Sequence, residues 1–170
     1  MKDDRLGQLT GLNVAAPLRA GADEALLAAI AAVPEGPASP FARLGTVHFA
    51  RWVPLPDKPR PGVTTLWFSA TFDGTLARFV SGLARHMPAE LDAVFTHCVD
   101  WPGARDRDAL ERWMRARRIP VSYFLAAYPN ATLPRIAQAL ERRRALVELA
   151  IEAPHMDAAE LHAEFVRRVA

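Results

Sequence analysis

Apolar positions recur along the chain in alternating blocks of strand and helix period. Residues 9–17, LTGLNVAAP, read as a first strand. Gly21, Ala22 and Asp23 open an amphipathic helix with Leu26, Leu27, Ile30 and Val33 on one side, and Pro34 and Gly36 stop it. Residues 44–54, LGTVHFARWVP, and 63–72, VTTLWFSATF, read as two strands. The segment PLPDKPRPG between them is too rich in proline to be anything but a connection, so the two strands form a long-looped antiparallel hairpin. Asp73-Gly74-Thr75 starts a second helix, with Asp73 placed to cap it and Leu76, Phe79, Val80 and Leu83 as its apolar stripe. His86 and Pro88 mark its end, and residues 92–99, DAVFTHCV, read as a fourth strand.

Strand, helix, strand, strand, helix, strand is the ferredoxin-like (βαββαβ) order, an α+β fold with an antiparallel sheet. Beyond it the pattern predicts a helix at about 106–117, with Leu110, Trp113 and Met114 inward, and a fifth strand over 121–128, VSYFLAAY. Thr132 and Pro134 open a long helix lined by Ile136, Leu140, Val147 and Ile151. Pro154 closes it, and a last helix covers about 157–168. The expected organisation is a single domain over residues 1–170. Its ferredoxin-like core spans 9–99, and a helix–strand–helix–helix extension spans 100–170. The first six residues are expected to fray.

Both faces of the central strands are mixed. His48, Ala50 and Trp52 alternate with Val47, Phe49, Arg51 and Val53, and Leu66, Phe68, Ala70 and Phe72 alternate with Thr65, Trp67, Ser69 and Thr71. Neither side looks made for bulk water. The expectation is helices on one face and, on the other, a second copy of the chain or the C-terminal helices.

Composition narrows the setting. Hydrophobic residues are 51% and charged residues 24%, ordinary for a globular chain. No apolar run approaches the ~20 residues that span a bilayer, and the first residues carry no secretory apolar stretch. The one cysteine, Cys98, excludes an internal disulfide and suits a reducing cytoplasm. The net charge is +2 and the pI about 9.1, because nearly every base is arginine. That near-balance argues against a nucleic-acid partner, and no aromatic RNA-recognition signature occurs.

Three segments concentrate unusual side chains: His48-Phe49-Ala50-Arg51-Trp52, Phe72-Asp73-Gly74 and His97-Cys98-Val99-Asp100-Trp101-Pro102. Ionisable groups in or beside apolar strands cost free energy unless partnered, which makes them site candidates. His48 and His97 each read as a ligand, a general base or a satisfied core histidine. In the ferredoxin-like order their strands are opposite edges, three steps of ~4.8 Å apart. One metal with bonds of ~2 Å cannot join both, so no metal site is expected. Arg51 reads as a carboxylate clamp or as a partner of Asp73, with the second favoured. Cys98 reads as a small buried thiol, and Tyr123 and Tyr128 as phenols available to a cavity. The six arginines between Arg105 and Arg118 read as a solvated helix face.

The pattern HFARWV, then FSATFDGTLARFVSGL, then FTHCVDWPGARD resembles a family of bacterial ferredoxin-like proteins of vague function, loosely associated with peroxidases, over roughly residues 9–145. By topology the chain resembles the dimeric α/β-barrel superfamily. That group includes cofactor-free monooxygenases, dye-decolourising peroxidases and chlorite dismutases, several of which bind haem. The resemblance implies a small-molecule oxidoreductase that acts as a homodimer through the sheet. It implies haem held by His48, His86 or His97, with Arg51 as a propionate partner. The GxxDG haem motif of dye-decolourising peroxidases is absent from the chain. The alternatives are a cofactor-free monooxygenase or cyclase, with His48 or His97 as base and Arg51 or Tyr123 holding the developing anion, or a non-enzymatic ligand-binding or interaction module.

Overall fold

Residues 4–56 and 64–169 are described by a computed structural model. They fall into two compact units, one ending at Thr132 and one starting at Leu133. Residues 100–132 belong with the first unit.

The first unit is a mixed α+β structure around an open antiparallel sheet. Its strands are β1 (Arg5–Leu6), β2 (Leu9–Pro17), β3 (Val47–Pro56) and β4 (Thr64–Asp73), in the order β1-β2-β4-β3. β2 pairs with β4 from Leu9↔Asp73 to Pro17↔Thr65, and β3 closes the other side of β4. The two strands read from 44–54 and 63–72 are therefore antiparallel neighbours, as their pattern implied. Most of the PLPDKPRPG connection lies outside the described residues.

Alternation decides the faces. Leu66, Phe68, Ala70 and Phe72 of β4 are buried, and they join Leu12, Val14 and Ala16 of β2 in one core. Helices α1 (Asp23–Ala31), α2 (Leu76–His86), α3 (Pro88–Phe95) and α4 (Arg107–Ala116) contribute to the same core. All four residues of the expected α2 stripe are buried, and Phe79 stacks on Phe72 with ring centroids 4.0 Å apart. Leu110, Trp113 and Met114 of α4 also point inward. On α1 Leu26 is buried, but Leu27 is 56% exposed.

The fourth strand does not form. Residues 88–95 are helix α3, which has Pro88 in its first turn and buries Leu91, Val94 and Phe95 at helical spacing. The edge of β2 that such a strand would occupy is covered in pieces. Gly11 N–H donates to the Asp4 carbonyl, Ala15 N–H to Arg117, and Ile119 N–H to Asn13. Val99 N–H donates to Pro17 and Arg19 N–H to His97. Three separate segments thus satisfy the polar backbone of one edge.

The strand expected at 121–128 is also absent; the segment is irregular, with Tyr123 and Tyr128 about four-fifths exposed. Val121 and Phe124 lie near Gly11, where a Cβ would come within 3.6 and 3.8 Å of them. Residues 4–6 do not fray, because Asp4 is buried and β1 pairs with the start of β2. The turn between them uses Gly7 at φ +60°, where a Cβ would sit 2.5 Å from the Pro129 carbonyl oxygen.

The second unit holds α5 (Leu133–Glu152) and α6 (Ala158–Val169), joined by a 3-10 turn at Ala153–His155. Asp157 caps α6 through Ala159 and Glu160 N–H, and Arg168 bonds both Glu152 and Glu164. The long helix appears where its pattern placed it, but its buried residue is Leu149. Ile136, Leu140, Val147 and Ile151 are between 36% and 71% exposed. Among the described residues no helix is long and apolar enough to cross a membrane.

Candidate functional site

The register of β3 against β4 shifts between Val47 and Phe49, so His48 is the extra residue of a β-bulge. The bulge changes the expected alternation, and Val47 packs against the core together with Ala50 and Trp52. It also frees the His48 side chain to reach the end of the neighbouring strand. His48 Nε2 lies 2.9 Å from Asp73 Oδ1, and the two side chains are 11% and 9% exposed. Arg51, the partner expected for Asp73, instead stands opposite Ser69, four residues or ~13 Å back along β4. Nor does Asp73 cap α2. Thr75 takes that position, and its Oγ1 accepts from Arg78 N–H at 3.4 Å.

Two residues beyond His48 the same strand borders a cavity of about 370 Å³. Its apolar wall comes from Ile30, Val33 and Pro34 after α1, Phe41 on a 3-10 turn, and Ala50 and Trp52. Glu35, Ser39 and Arg51 supply polar groups. The aromatic rings of the wall pack against the core. Phe41 lies 5.1 Å from Trp52, and Trp52 lies 5.9 Å from Phe68. A mostly apolar hollow with a few polar groups of both signs suits a small organic molecule with one charged end.

The third polar segment is a structural knot. The His97 carbonyl accepts from Arg19 N–H, and the Cys98 carbonyl accepts from Arg19 Nε. The Val99 carbonyl accepts from Trp113 Nε1 and Arg117 Nη2. Trp101 Nε1 and Ala104 N–H both donate to Asp92 Oδ1, and Trp101 packs against Phe95 and Trp113. Arg117 lies over the Trp113 ring at 4.6 Å and reaches Asp100, which holds φ +54°. Burial pushes the Cys98 thiol up to about 12, against the opposing pull of Arg117 and Arg19, so it stays a thiol at neutral pH. The unfolded thiol ionises first, so this group's contribution to stability is complete below about 9 and is lost as pH rises towards about 12.

His48 and His97 stand at opposite edges of the sheet, one on β3 and one bridged to the far side of β2. His97 is half-buried, while Tyr123 and His86 are exposed. His86 borders a different groove, on the outer side of α2. Among the described residues no three His, Cys, Asp or Glu side chains gather as a metal ion would need.

The sequence reading named Arg51 but missed Phe41 and the residues after α1. Their signal was hidden, because Pro34, Glu35 and Gly36 read only as a helix stop. The solvated reading of the Arg105–Arg118 run was also incomplete. Arg117 and Arg118 turn inward, Arg118 to the buried carboxylate of Asp4 at 2.7 Å. Comparison with protein-family models, with curated proteins and with solved structures finds no match.

Proposed function

We propose that this chain is a small-molecule enzyme whose substrate occupies the cavity beside β3. The observation that carries the reading is the apolar wall of Trp52, Phe41, Ala50 and Ile30 with Arg51 at its border. It favours a ligand with an apolar body and a carboxylate, which a guanidinium pairs with bidentately. His48, whose ring a carboxylate at 2.9 Å orients, does not line this cavity, so the reading rests on the cavity and Arg51 and assigns His48 no base role there. The cavity and Arg51 suit a cofactor-free monooxygenase or, as the alternative, a cyclase. Neither of the two cavities described brings a histidine together with Arg51, so no step of the proposal runs through haem.

Benzoate is a simple probe of the cavity. It is expected to bind saturably, and Arg51→Gln is expected to weaken it about tenfold, the loss of one charge-assisted pair. Ser39→Trp, which narrows the cavity, abolishes binding. Undiminished binding in both variants, or none to the wild-type protein, removes this reading. The haem that the family resemblance implies is a separate proposal, checked on the same sample by whether added haemin gives a saturable Soret band.

The ferredoxin-like assignment and the homodimer are proposed on related grounds. The strand order β2-β4-β3 has the ferredoxin-like arrangement for three of its four strands. The outward side of edge strand β3 carries Phe49, 76% exposed, with Val53 and Leu55 also exposed. A second copy on this face would cover them. Sedimentation is expected to show a dimer that Phe49→Asp dissociates; a wild-type monomer at tens of micromolar, on the order of a weak interface, refutes it.

A further inference from the structure

Helix α2 buries Leu76, Phe79, Val80 and Leu83 and turns Arg78, Ser81 and Arg85 the other way. Spacings of three and four residues put these on one stripe of the helix. Arg107, the first residue of α4, completes with them and His86 a groove of about 340 Å³. Among the described residues no carboxylate lines this groove. Arg107 is engaged by Asp108, whereas Arg78 and Arg85 have no acidic partner among the described residues. Two other exposed arginines of the first unit have acidic partners, Arg43 in Glu90 and Arg115 in Glu111, whereas Arg51, Arg105 and Arg112 have none among the described residues and do not line this groove.

In a chain with 21 basic and 19 acidic residues, a concave surface with three guanidinium groups, of which only Arg107 is paired with an acid, is a local concentration of positive charge. Repulsion between such groups is relieved by a bound anion, and guanidinium forks match phosphate oxygens in geometry. The site is made by side chains and not by a helix end, because the Asp106 carboxylate occupies Asp108 and Ala109 N–H at the start of α4.

We propose that the groove binds the phosphate group of a soluble phosphomonoester, with Arg78 and Arg85 as the clamp. Among the described residues Ala77 and Gly82 are its only apolar lining, so it has nothing large to bury in a bilayer, and a soluble ester fits better than a lipid headgroup. The groove shares no residue with the cavity beside β3, so the two readings stand or fall separately.

The test is amide mapping of the full chain with glycerol phosphate at low ionic strength. Saturable shifts confined to residues 77–86 and 107 are expected. The double variant Arg78→Gln/Arg85→Gln weakens binding by about tenfold or more, the scale of losing charge-assisted hydrogen bonds. Arg142→Gln/Arg143→Gln, exposed residues on α5, leaves it unchanged. Shifts scattered over all arginine-bearing segments, or an equal loss in the α5 variant, overturn the proposal, because the attraction is then general charge. So does binding to phosphatidate vesicles with no response to glycerol phosphate.

Discussion

Replacing Phe95 with alanine is expected to lower the unfolding free energy by about 3–5 kcal/mol, the largest single loss among core positions. The ring is fully buried at the end of α3. Its centroid lies 5.0 Å from Trp101, 5.4 Å from Trp113, 5.9 Å from Phe68 and 6.3 Å from Trp52. It therefore joins the sheet, α4 and the loop after α3 in one aromatic cluster. Four rings fixed by separate elements cannot collapse onto the void, so the cavity cost adds to the lost burial. Urea unfolding followed by tryptophan fluorescence measures the loss. A drop under about 1 kcal/mol would show that the cluster relaxes and that Phe95 is not its keystone. Because Trp52 also lines the cavity beside β3, the same variant is expected to weaken benzoate binding without touching Arg51.

The second large effect concerns the ion pair of Asp4 and Arg118. Both Nε and Nη2 of Arg118 reach Asp4 Oδ2, at 3.2 and 2.7 Å, and the side chains are 2% and 10% exposed. Asp4→Leu leaves a guanidinium largely out of water with no counter-charge, which costs about 3–5 kcal/mol. The double variant Asp4→Leu/Arg118→Met removes both charges and is expected to recover most of the loss, since an apolar pair of similar volume is often close to neutral. Thermal unfolding of the wild-type protein, the two single variants and the double variant checks this. A double variant no more stable than Asp4→Leu would mean that shape, and not the unpaired charge, sets the cost. The pair also explains how residues 4–6 stay on the edge of β2. Asp4 supplies a backbone carbonyl to Gly11 while its side chain holds the segment that follows α4.

Local pattern carried much of this fold. The stripes of α2 and α4, the pairing of β3 with β4, and the buried thiol at position 98 were all legible, because each depends on residues close in sequence or on a simple apolar period. The failures are equally specific. In DAVFTHCV an apolar run of strand length is also a helical turn, and Pro88 with the spacing of Leu91, Val94 and Phe95 settles it as helix. In VSYFLAAY the β-forming residues have no ladder to join, so Tyr123 and Tyr128 stand in solvent.

At the candidate site the division follows the same line. Sequence by itself determined which segments concentrate unusual polar side chains: His48, Arg51, Asp73 and the HCVDWP segment. The partners were decided only by tertiary structure. A one-residue bulge, invisible in composition, hands Asp73 to His48 in place of Arg51 and moves Val47 into the core. The cavity needs Phe41 and the residues after α1 to arrive at β3 from a part of the chain that reads as loop. Apolar period and charge are properties of neighbours along the chain, whereas register and concavity are properties of segments brought together from a distance. That is why the unusual polar side chains could be named in advance and their pairings could not.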